Sequence, residues 1–373
     1  MTAPAIYLDY NASTPLAPAV AAAMRPWLET GFGNPSSGHW AGQPAHEAVE
    51  AARGDIAALL RCHHDEVVLT SGGSEANNQV IKGAIEGRDA SRTHVITSAV
   101  EHPAILEPCR VLERLGARVT VVPVDRHGVV DPEAVRAAIT SDTVLVSIMH
   151  ANNEVGTIQP IAEIAAVAHE HGVRCHTDAA QSVGKIPTRV DELGVDLLSL
   201  AGHKLYAPKG IGALFIRRSI SLPSLIDGGG HEQGRRAGTE SALLASGLGA
   251  ACRLASDDPC VDHLRELRDR FWSGLQARFG DRVVLNGHPT RRLPNTLNVA
   301  FPGQSGPELL GRLGGVAAST GSACHTGAVT LSPVLTAMGV GTDVGQGTIR
   351  FSVGRQTTAD EIDAVVARLE EIL

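Results

Sequence analysis

The chain has 373 residues, a length that suggests about two domains of roughly 100 to 250 residues each. Hydrophobic residues make up 43% and charged residues 19% of the chain, a composition typical of soluble globular proteins. The formal net charge of −8 is spread along the sequence. Because nucleic-acid and anionic-membrane surfaces need clustered Lys and Arg, we expect neither as a partner. Small molecules or other proteins are the expected partners.

Targeting and cross-linking signals are missing from the sequence. The first ten residues, MTAPAIYLDY, carry no basic region followed by an apolar run, and no apolar stretch approaches the ~20 residues of a membrane span. We therefore expect a cytoplasmic protein without a bound metal, in which most cysteines are reduced and fill the core. The six cysteines show no CxxC or Cys/His zinc spacing and lie at positions 62, 109, 175, 252, 260 and 324.

Short apolar runs alternate with helical periodicity through the first two thirds of the chain. This alternation predicts an α/β unit in which helices cover a mostly parallel sheet. One predicted helix has apolar residues at helical spacing between Ala45 and Leu59, and another has them between Ile161 and Ala168. The predicted strands are Val67–Thr70, His94–Thr97, Val119–Val124, Val144–Met149, Val173–Thr177, Leu197–Leu200 and Ala213–Ile216.

The pattern changes after a predicted helix over residues 240–255, where Ser256 to Pro259 reads as a breaker. The rest of the chain favours an α+β arrangement. We expect strands near Val283 and Leu297, a strand over 349–353, and helices over 308–313, from Pro333 and over 359–373. The predicted division is a large domain of residues 14–255 and a small domain of residues 1–13 and 256–373. The small domain carries a cysteine-containing loop at about residues 319–332.

The first chemical signal is the run from Thr70 to Asn78, TSGGSEANN, in which a strand leads through glycines into a helix. Free amides at a helix N-terminus can bind an anion, and the hydroxyl of Ser74 adds a donor, so a phosphate fits near Gly73. The alternative is an ordinary strand-to-helix turn with a serine cap.

Two further signals follow predicted strands. Lys204 comes just after Leu197–Leu200, where ligands bind in open α/β sheets, and a partly desolvated amine there can bond covalently to a carbonyl. Asp178 ends the strand before it, and its carboxylate could keep a pyridine nitrogen protonated. The alternative for Lys204 is an ordinary surface lysine, and the alternative for Asp178 is a helix N-cap. Together with the phosphate turn, they match the needs of pyridoxal 5'-phosphate.

The ordered motifs across the chain resemble those of cysteine desulfurases of the NifS/IscS type, which have the class V aminotransferase fold. This resemblance implies the aspartate-aminotransferase-like fold of pyridoxal-phosphate transferases (fold type I). The motifs that carry it are TSGGSE (70–75), EH (101–102), NNE (152–154), DAAQ (178–181), GHK (202–204), YLDYNA (7–12), GNPSS (33–37), GGGHE (228–232), GT (238–239) and IRFS (349–352).

The resemblance implies a role for each matching residue. Lys204 would hold the cofactor covalently, Asp178 would pair with its ring nitrogen, Gln181 would contact its phenolic oxygen and His102 would stack on its ring. The phosphate would be held by Gly73, Ser74 and His203, and by Thr239 from the second subunit of a homodimer. The substrate would be bound by Asn153, Arg350 and Asn11.

Cys324, in the run STGSACHTG (319–327), matches the position of the family's catalytic thiol. The implied reaction converts L-cysteine to L-alanine and leaves a persulfide on Cys324, which a sulfur-acceptor protein collects, for example in iron–sulfur cluster assembly. Because only the thiolate is nucleophilic, a nearby proton acceptor is expected. His102 is the family's candidate, and His325 is a second one that could instead be an exposed loop residue. The long stretch from Cys324 to Pro333 predicts a mobile loop.

Three alternatives stay open at this stage. Selenocysteine lyases share the fold, the cofactor and an Ala-Cys-His-like loop, whereas a β-lyase or transaminase needs no loop thiol. A carrier or scaffold protein without catalysis would bind no cofactor. One departure from the family concerns Ala201, which stands where many relatives have a serine, so one hydroxyl contact to the phosphate is lost.

Overall fold

The computed structural model describes residues 5–320, 322–325 and 328–373, with the backbone alone for 322–325 and 328–330. The helices are α1 Pro18–Glu29, α2 Gln43–Leu60, α3 Gly73–Gly83, α4 Pro103–Arg114, α5 Pro132–Ala138, α6 Ile161–Glu170, α7 Val190–Leu193, α8 Ala242–Asp257, α9 Val261–Phe279, α10 Gly306–Arg312, α11 Pro333–Ala337, α12 Thr342–Gly345 and α13 Ala359–Ile372. The strands are β1 Ile6–Tyr7, β2 Val67–Thr70, β3 His94–Ser98, β4 Arg118–Val122, β5 Thr143–Ser147, β6 Arg174–Asp178, β7 Leu197–Ala201, β8 Gly212–Ile216, β9 Val284–Leu285, β10 Thr296–Ala300, β11 Val316–Ala317, β12 Ser319–Thr320, β13 Ser322–His325, β14 Ala328–Leu331 and β15 Thr348–Ser352.

A seven-stranded sheet in the order β2-β8-β7-β6-β5-β3-β4 forms the centre of the larger unit. β8 runs antiparallel to both neighbours, and the other pairs are parallel. β2, β3, β7 and β8 are buried along their whole length because helices cover both faces, which is why they read as continuous apolar runs. The predicted α/β fold with a mostly parallel sheet is confirmed.

A second sheet in the order β12-β15-β10-β9 is antiparallel and has its own core. Phe271 of α9 packs on Phe351 of β15 with ring centroids 4.8 Å apart, and Leu369 of α13 belongs to the same cluster. Ile6 and Leu8 also pack there, because β1 pairs with β11 far along the chain. This is the smaller α+β unit expected from the sequence.

The predicted cysteine-containing loop at about residues 319–332 includes short strands in the backbone that the structure describes. β12 pairs with β15, and β13 pairs with β14 in an antiparallel hairpin that places Cys324 opposite Val329. Within the described ranges, every helix is too short or too polar to cross a bilayer.

Candidate active site

A cavity of about 380 Å³ opens where the parallel strands β6 and β7 end, the usual ligand position in such sheets. It brings together the predicted site residues apart from two. Thr239 lies elsewhere, and the thiol of Cys324 lies outside the described residues. The cavity is lined by Asn11, Ala12, Gly73, Ser74, Asn77, His102, Ala104, Met149, Ala151, Asn153, Asp178, Ala180, Gln181, Ala201, His203, Lys204 and Arg350.

The turn between β2 and α3 forms one end of the cavity. Gly72 has φ +148°, in a region that side chains with a Cβ rarely adopt, so glycine is needed for this turn. Gly73 and Ser74, at the start of α3, line the cavity, and a Cβ added to Gly73 would lie 3.4 Å from the Cβ of Ala201, at ordinary contact distance. The first amides of the 11-residue helix α3 thus border open space, which fits a phosphate group.

Asp178 ends β6 and is 7% exposed. Its Oδ2 accepts a hydrogen bond from Nδ2 of Asn77 at 2.7 Å, and its Oδ1 accepts one from the Ala180 amide at 2.9 Å. Both donors are neutral, so no cation neutralises the carboxylate directly. Each carboxylate oxygen keeps a further lone pair. The side chain can therefore accept a hydrogen bond from a protonated ring nitrogen of a ligand in the cavity.

Lys204 follows β7 on a short 3₁₀ turn, Gly202–Lys204. Its Nζ donates to the carbonyl oxygens of Asn11 at 2.5 Å and Ala12 at 2.8 Å. Burial and, to a smaller extent, the charge of Arg350 lower the pKa of Lys204 to about 8, against the opposing effect of Asp9 and Asp178. About a tenth of the amine is therefore neutral and nucleophilic at pH 7, far more than for an ordinary lysine.

Arg350 lies on β15 at the opposite wall and is 8% exposed. Its Nη2 donates to Oδ1 of Asp9 at 2.7 Å and to Oγ of Ser319 at 2.8 Å, and its Nη1 donates to the Asn153 carbonyl at 2.9 Å. Its Nε is buried and has no partner among the described residues. An unpaired buried donor beside a cavity is the kind of group that a carboxylate ligand would satisfy.

The two histidines of the cavity are held in the neutral form. Burial lowers the pKa of His102, and Lys204 lowers it further, although Asp178 acts in the opposite direction. Nδ1 of His102 accepts the Ala104 amide at 3.1 Å as the N-cap of α4, so in the neutral ring the proton lies on Nε2. In this state His102 presents a donor rather than an acceptor at Nε2. Burial lowers the pKa of His203 to about 4.

Asn11 shows how the wall of the cavity is built. Its side chain donates to Thr296 Oγ1 at 2.8 Å and accepts from Asn295 Nδ2 at 2.9 Å, so its amide is occupied within the protein. Its carbonyl oxygen accepts from both Lys204 and Nε2 of Gln181, the latter at 3.0 Å. Asn11 therefore borders the cavity mainly as an organiser of Lys204 and Gln181.

Thr239 is exposed and lies apart from this cavity, in a second one lined also by Ser71, Glu232 and Arg236. Two ion pairs hold its segment against the large unit. Glu75 of α3 accepts from Arg236 at 2.8 Å, and buried Glu232 accepts from Arg53 at 2.6 Å. Within one chain, Thr239 makes no part of the cavity that contains Lys204.

Sequence reasoning gave no role to three residues that the structure places at the site. Asn77 fixes Asp178, whereas Asp9 and Ser319 fix Arg350. Asp9 stands inside the motif YLDYNA, and Asn77 stands in the run from Thr70 to Asn78 that gave the phosphate signal, so only the contacts of these two residues were missing. Ser319 gave no signal, because its partner comes from a different strand and the pairing of β12 with β15 has no local sequence pattern.

The cysteines with described side chains are structural. Cys62, Cys109, Cys175, Cys252 and Cys260 form no disulfide, and burial raises the pKa of each thiol, to about 12 for Cys62 and Cys109. Thiols of such high pKa are poor nucleophiles. The five therefore fill space, as expected.

The fold and this set of side chains define a pyridoxal-phosphate-dependent enzyme. The α3 terminus fits the phosphate, Asp178 fits the ring nitrogen and Lys204 supplies the amine that such enzymes need. The chain belongs to the class V aminotransferase family, because the family model "Aminotransferase class-V" matches residues 6–365. The predicted family, fold and cofactor are thereby confirmed.

Similar proteins point to one branch of this family. The chain is 47% identical over 372 residues to "Cysteine desulfurase IscS" of Dictyoglomus turgidum, covering 99% of this chain and 94% of the relative. It is 44% identical to the protein of the same name from Methanosarcina thermophila, covering 99% and 92%.

Solved structures agree with these relatives. A "NifS-like protein" has a TM-score of 0.91 at 35% identity and covers 99% of both chains. A structure described as "SspA in complex with cysteine" has a TM-score of 0.83 at 38% identity and covers 93% of this chain and 98% of that one.

Proposed function

We propose that the protein is a cysteine desulfurase that converts L-cysteine to L-alanine and transfers the sulfur to Cys324 as a persulfide. The observation that carries the proposal is the convergence of Lys204, Asp178 and Arg350 on one cavity beside the strand that leads to Cys324. The names of the relatives and the cysteine complex of a structural neighbour support it.

The position of Cys324 supports its role as sulfur acceptor. Ser319 pairs with Arg350 across β12 and β15, and Cys324 comes five residues later. Five residues of extended chain span at most about 17 Å, so the thiol-bearing strand is tethered close to the cavity. The other cysteines with described side chains are buried or half-buried in the protein.

Each side chain has a defined task in this proposal. When bound, pyridoxal phosphate supplies an electron sink that stabilises negative charge at the substrate Cα. Arg350 binds the substrate carboxylate, with Nε as the free donor, and Asn153 lines the wall beside it. The amine of Lys204 binds the cofactor and moves the Cα proton, and Asp178 keeps the ring nitrogen protonated.

Sulfur transfer then needs the Cys324 thiolate. Its electron pair attacks the substrate sulfur, the new S–S bond forms as the C–S bond breaks, and the carbon retains the C–S pair. Protonation of that carbon gives the methyl group of alanine. The neutral ring of His102, with its proton on Nε2, is a donor next to this reaction, and its Nδ1 is occupied by the Ala104 amide.

The remaining site assignments belong to the same proposal. Gln181 contacts the phenolic oxygen, His102 stacks on the ring, and Gly73, Ser74 and His203 hold the phosphate with Thr239 of a partner subunit. The exposed position of Thr239, outside its own chain's cavity, supports the homodimer.

We further propose a cytoplasmic enzyme that passes sulfur to an acceptor protein for iron–sulfur cluster assembly. We also propose that the chain divides into a large domain of residues 14–255 and a small domain of residues 1–13 and 256–373.

One experiment tests the central claim. The purified, cofactor-loaded protein is mixed with L-cysteine, alanine is quantified, and the thiols are alkylated for peptide mass measurement. We expect alanine formation and 32 Da of added sulfur on Cys324, with both lost in Cys324→Ala. Alanine release that is unchanged in Cys324→Ala would refute the persulfide route, and pyruvate and ammonia in place of alanine would indicate a β-lyase. A parallel assay with L-selenocysteine separates a selenocysteine lyase, whose activity with L-cysteine would be negligible.

A further inference from the structure

Lys185 is a buried lysine that has no anionic partner among the described residues. It is 6% exposed, and none of the ion pairs formed by the described side chains includes it. The adjoining cavity, of about 10 Å³, has room for no more than about one water molecule. Burying an amine in this way is unfavourable for stability, so its position calls for another explanation.

Within the described part of the chain, the side-chain hydrogen bonds of Lys185 all go to Gln181. Its Nζ donates to the backbone oxygen of Gln181 at 2.9 Å and to the side-chain Oε1 of Gln181 at 3.2 Å. Gln181 lines the large cavity, and its Nε2 donates to the Asn11 carbonyl at 3.0 Å. Lys185 is therefore linked by hydrogen bonds to the large cavity through Gln181.

These contacts select one orientation of the Gln181 amide. If the amide turned over, its NH₂ group would face the Lys185 amine and its oxygen would face the carbonyl of Asn11, so donor would meet donor and acceptor would meet acceptor. An amide nitrogen has two N–H groups, and the Asn11 carbonyl takes one. The second N–H remains for a ligand oxygen in the cavity.

We propose that Lys185 is a positioning residue that locks the Gln181 amide with its nitrogen toward the cofactor's phenolic oxygen. The proposal rests on the site assignment made above for Gln181. A neutral amine has two N–H donors, one for each Gln181 oxygen; its lone pair could accept from a turned-over amide, but the amide oxygen would still face the carbonyl of Asn11. The lock therefore persists although burial, with help from Lys204 and Arg350, lowers the pKa of Lys185 to about 7.

The test compares Lys185→Met with wild type in two measurements on purified protein. Pyridoxal phosphate is titrated into apoprotein by the quenching of intrinsic fluorescence, and the thermal midpoint of the apoprotein is recorded. We expect about fivefold to tenfold weaker cofactor binding, the size of one lost hydrogen bond, with a thermal midpoint that is equal or higher. Lys185→Gln keeps a donor and should restore most of the affinity, whereas Lys82→Met, on the far turn of α3, should bind like wild type.

A double-mutant cycle isolates the link to Gln181. Lys185→Met should add no further loss in a Gln181→Ala background, because the amide that it positions is gone. Unchanged cofactor binding in Lys185→Met, or losses that add in the double variant, would overturn the proposal. A lower apoprotein midpoint with unchanged affinity would assign Lys185 a structural role. Failure of the wild type to bind pyridoxal phosphate would refute the site assignment instead.

Discussion

The buried pair of Arg53 and Glu232 offers a quantitative test of how the Thr239 segment is held. Arg53 donates through two nitrogens to the carboxylate at 2.6 and 3.1 Å, and the Leu69 amide donates to it at 2.9 Å. The side chains are 5% and 1% exposed. Glu232→Gln keeps the shape of the side chain and removes its negative charge. It also replaces one carboxylate oxygen by an NH₂ group that faces the N–H donors of Arg53 and Leu69. Breaking one side of such a pair costs about 3–5 kcal/mol, so we expect about 3 kcal/mol here.

The assay is urea denaturation of the apoprotein, followed by circular dichroism. Glu370→Gln is the matched control, because Glu370 pairs with Arg278 at the surface and both side chains are 48% exposed. Exposed pairs contribute about 0–1 kcal/mol, so the control midpoint should move little. Removing both charges with Arg53→Met and Glu232→Gln should recover part of the loss, because no unpaired guanidinium remains buried. Equal shifts for Glu232→Gln and Glu370→Gln would refute the reasoning.

Three further predictions concern the site and its surroundings. Arg350 helps to lower the pKa of Lys204 to about 8, so cofactor loading of the apoprotein should rise with pH with a midpoint near 8. Arg350→Met should move this midpoint to higher pH. A midpoint near 10 in the wild type would contradict the prediction. Burial raises the pKa of Glu101 to about 8, so the folded state binds a proton that the unfolded state has already lost above about pH 4.5. Thermal melts should therefore show stability lost as pH rises from about 4.5 through 8 in the wild type, and a flatter profile in Glu101→Gln; identical profiles would contradict it. Gly72→Ala should weaken pyridoxal phosphate binding at least tenfold, because an alanine strains the turn at a φ of +148°. The control is Gly54→Ala, in an open position on α2, which should stabilise the protein by up to about 1 kcal/mol without changing the affinity for the cofactor.

The central sheet could be predicted from the sequence because its strands are buried on both faces. Each of the seven predicted strands differs from the structure by no more than two residues at either end. Continuous apolar runs such as Val67–Thr70 and Ala213–Ile216 lack the polar positions of an amphipathic helix or a half-exposed strand, so a buried strand is the structure that they predict. Their order in the sheet, and the antiparallel direction of β8, depend on packing between distant segments and could not be read from local pattern.

The candidate site was predictable where a residue type stands at a strand end. Asp178 and Lys204 follow apolar runs directly, so their convergence follows from the parallel arrangement of β6 and β7. The contacts that tune them were not predictable. Asn11 reaches Lys204 across 193 residues of sequence, and Asp9 reaches Arg350 across 341. Such long-range pairs have no periodic signal, and short strands such as β12 escape pattern recognition for the same reason.

The N-terminal strand has a consequence for how the enzyme is made. β1 is synthesised first, yet it pairs with Val316 and Ala317, and Asp9 bridges to Ser352. The Asn11 carbonyl that holds Lys204 lies on this same segment. The wall of the cavity therefore closes only after residue 352 has been translated, because contacts between distant segments form late. We therefore expect cofactor insertion to follow synthesis of residue 352, and a ribosome-bound chain that ends before this residue to hold the cofactor weakly.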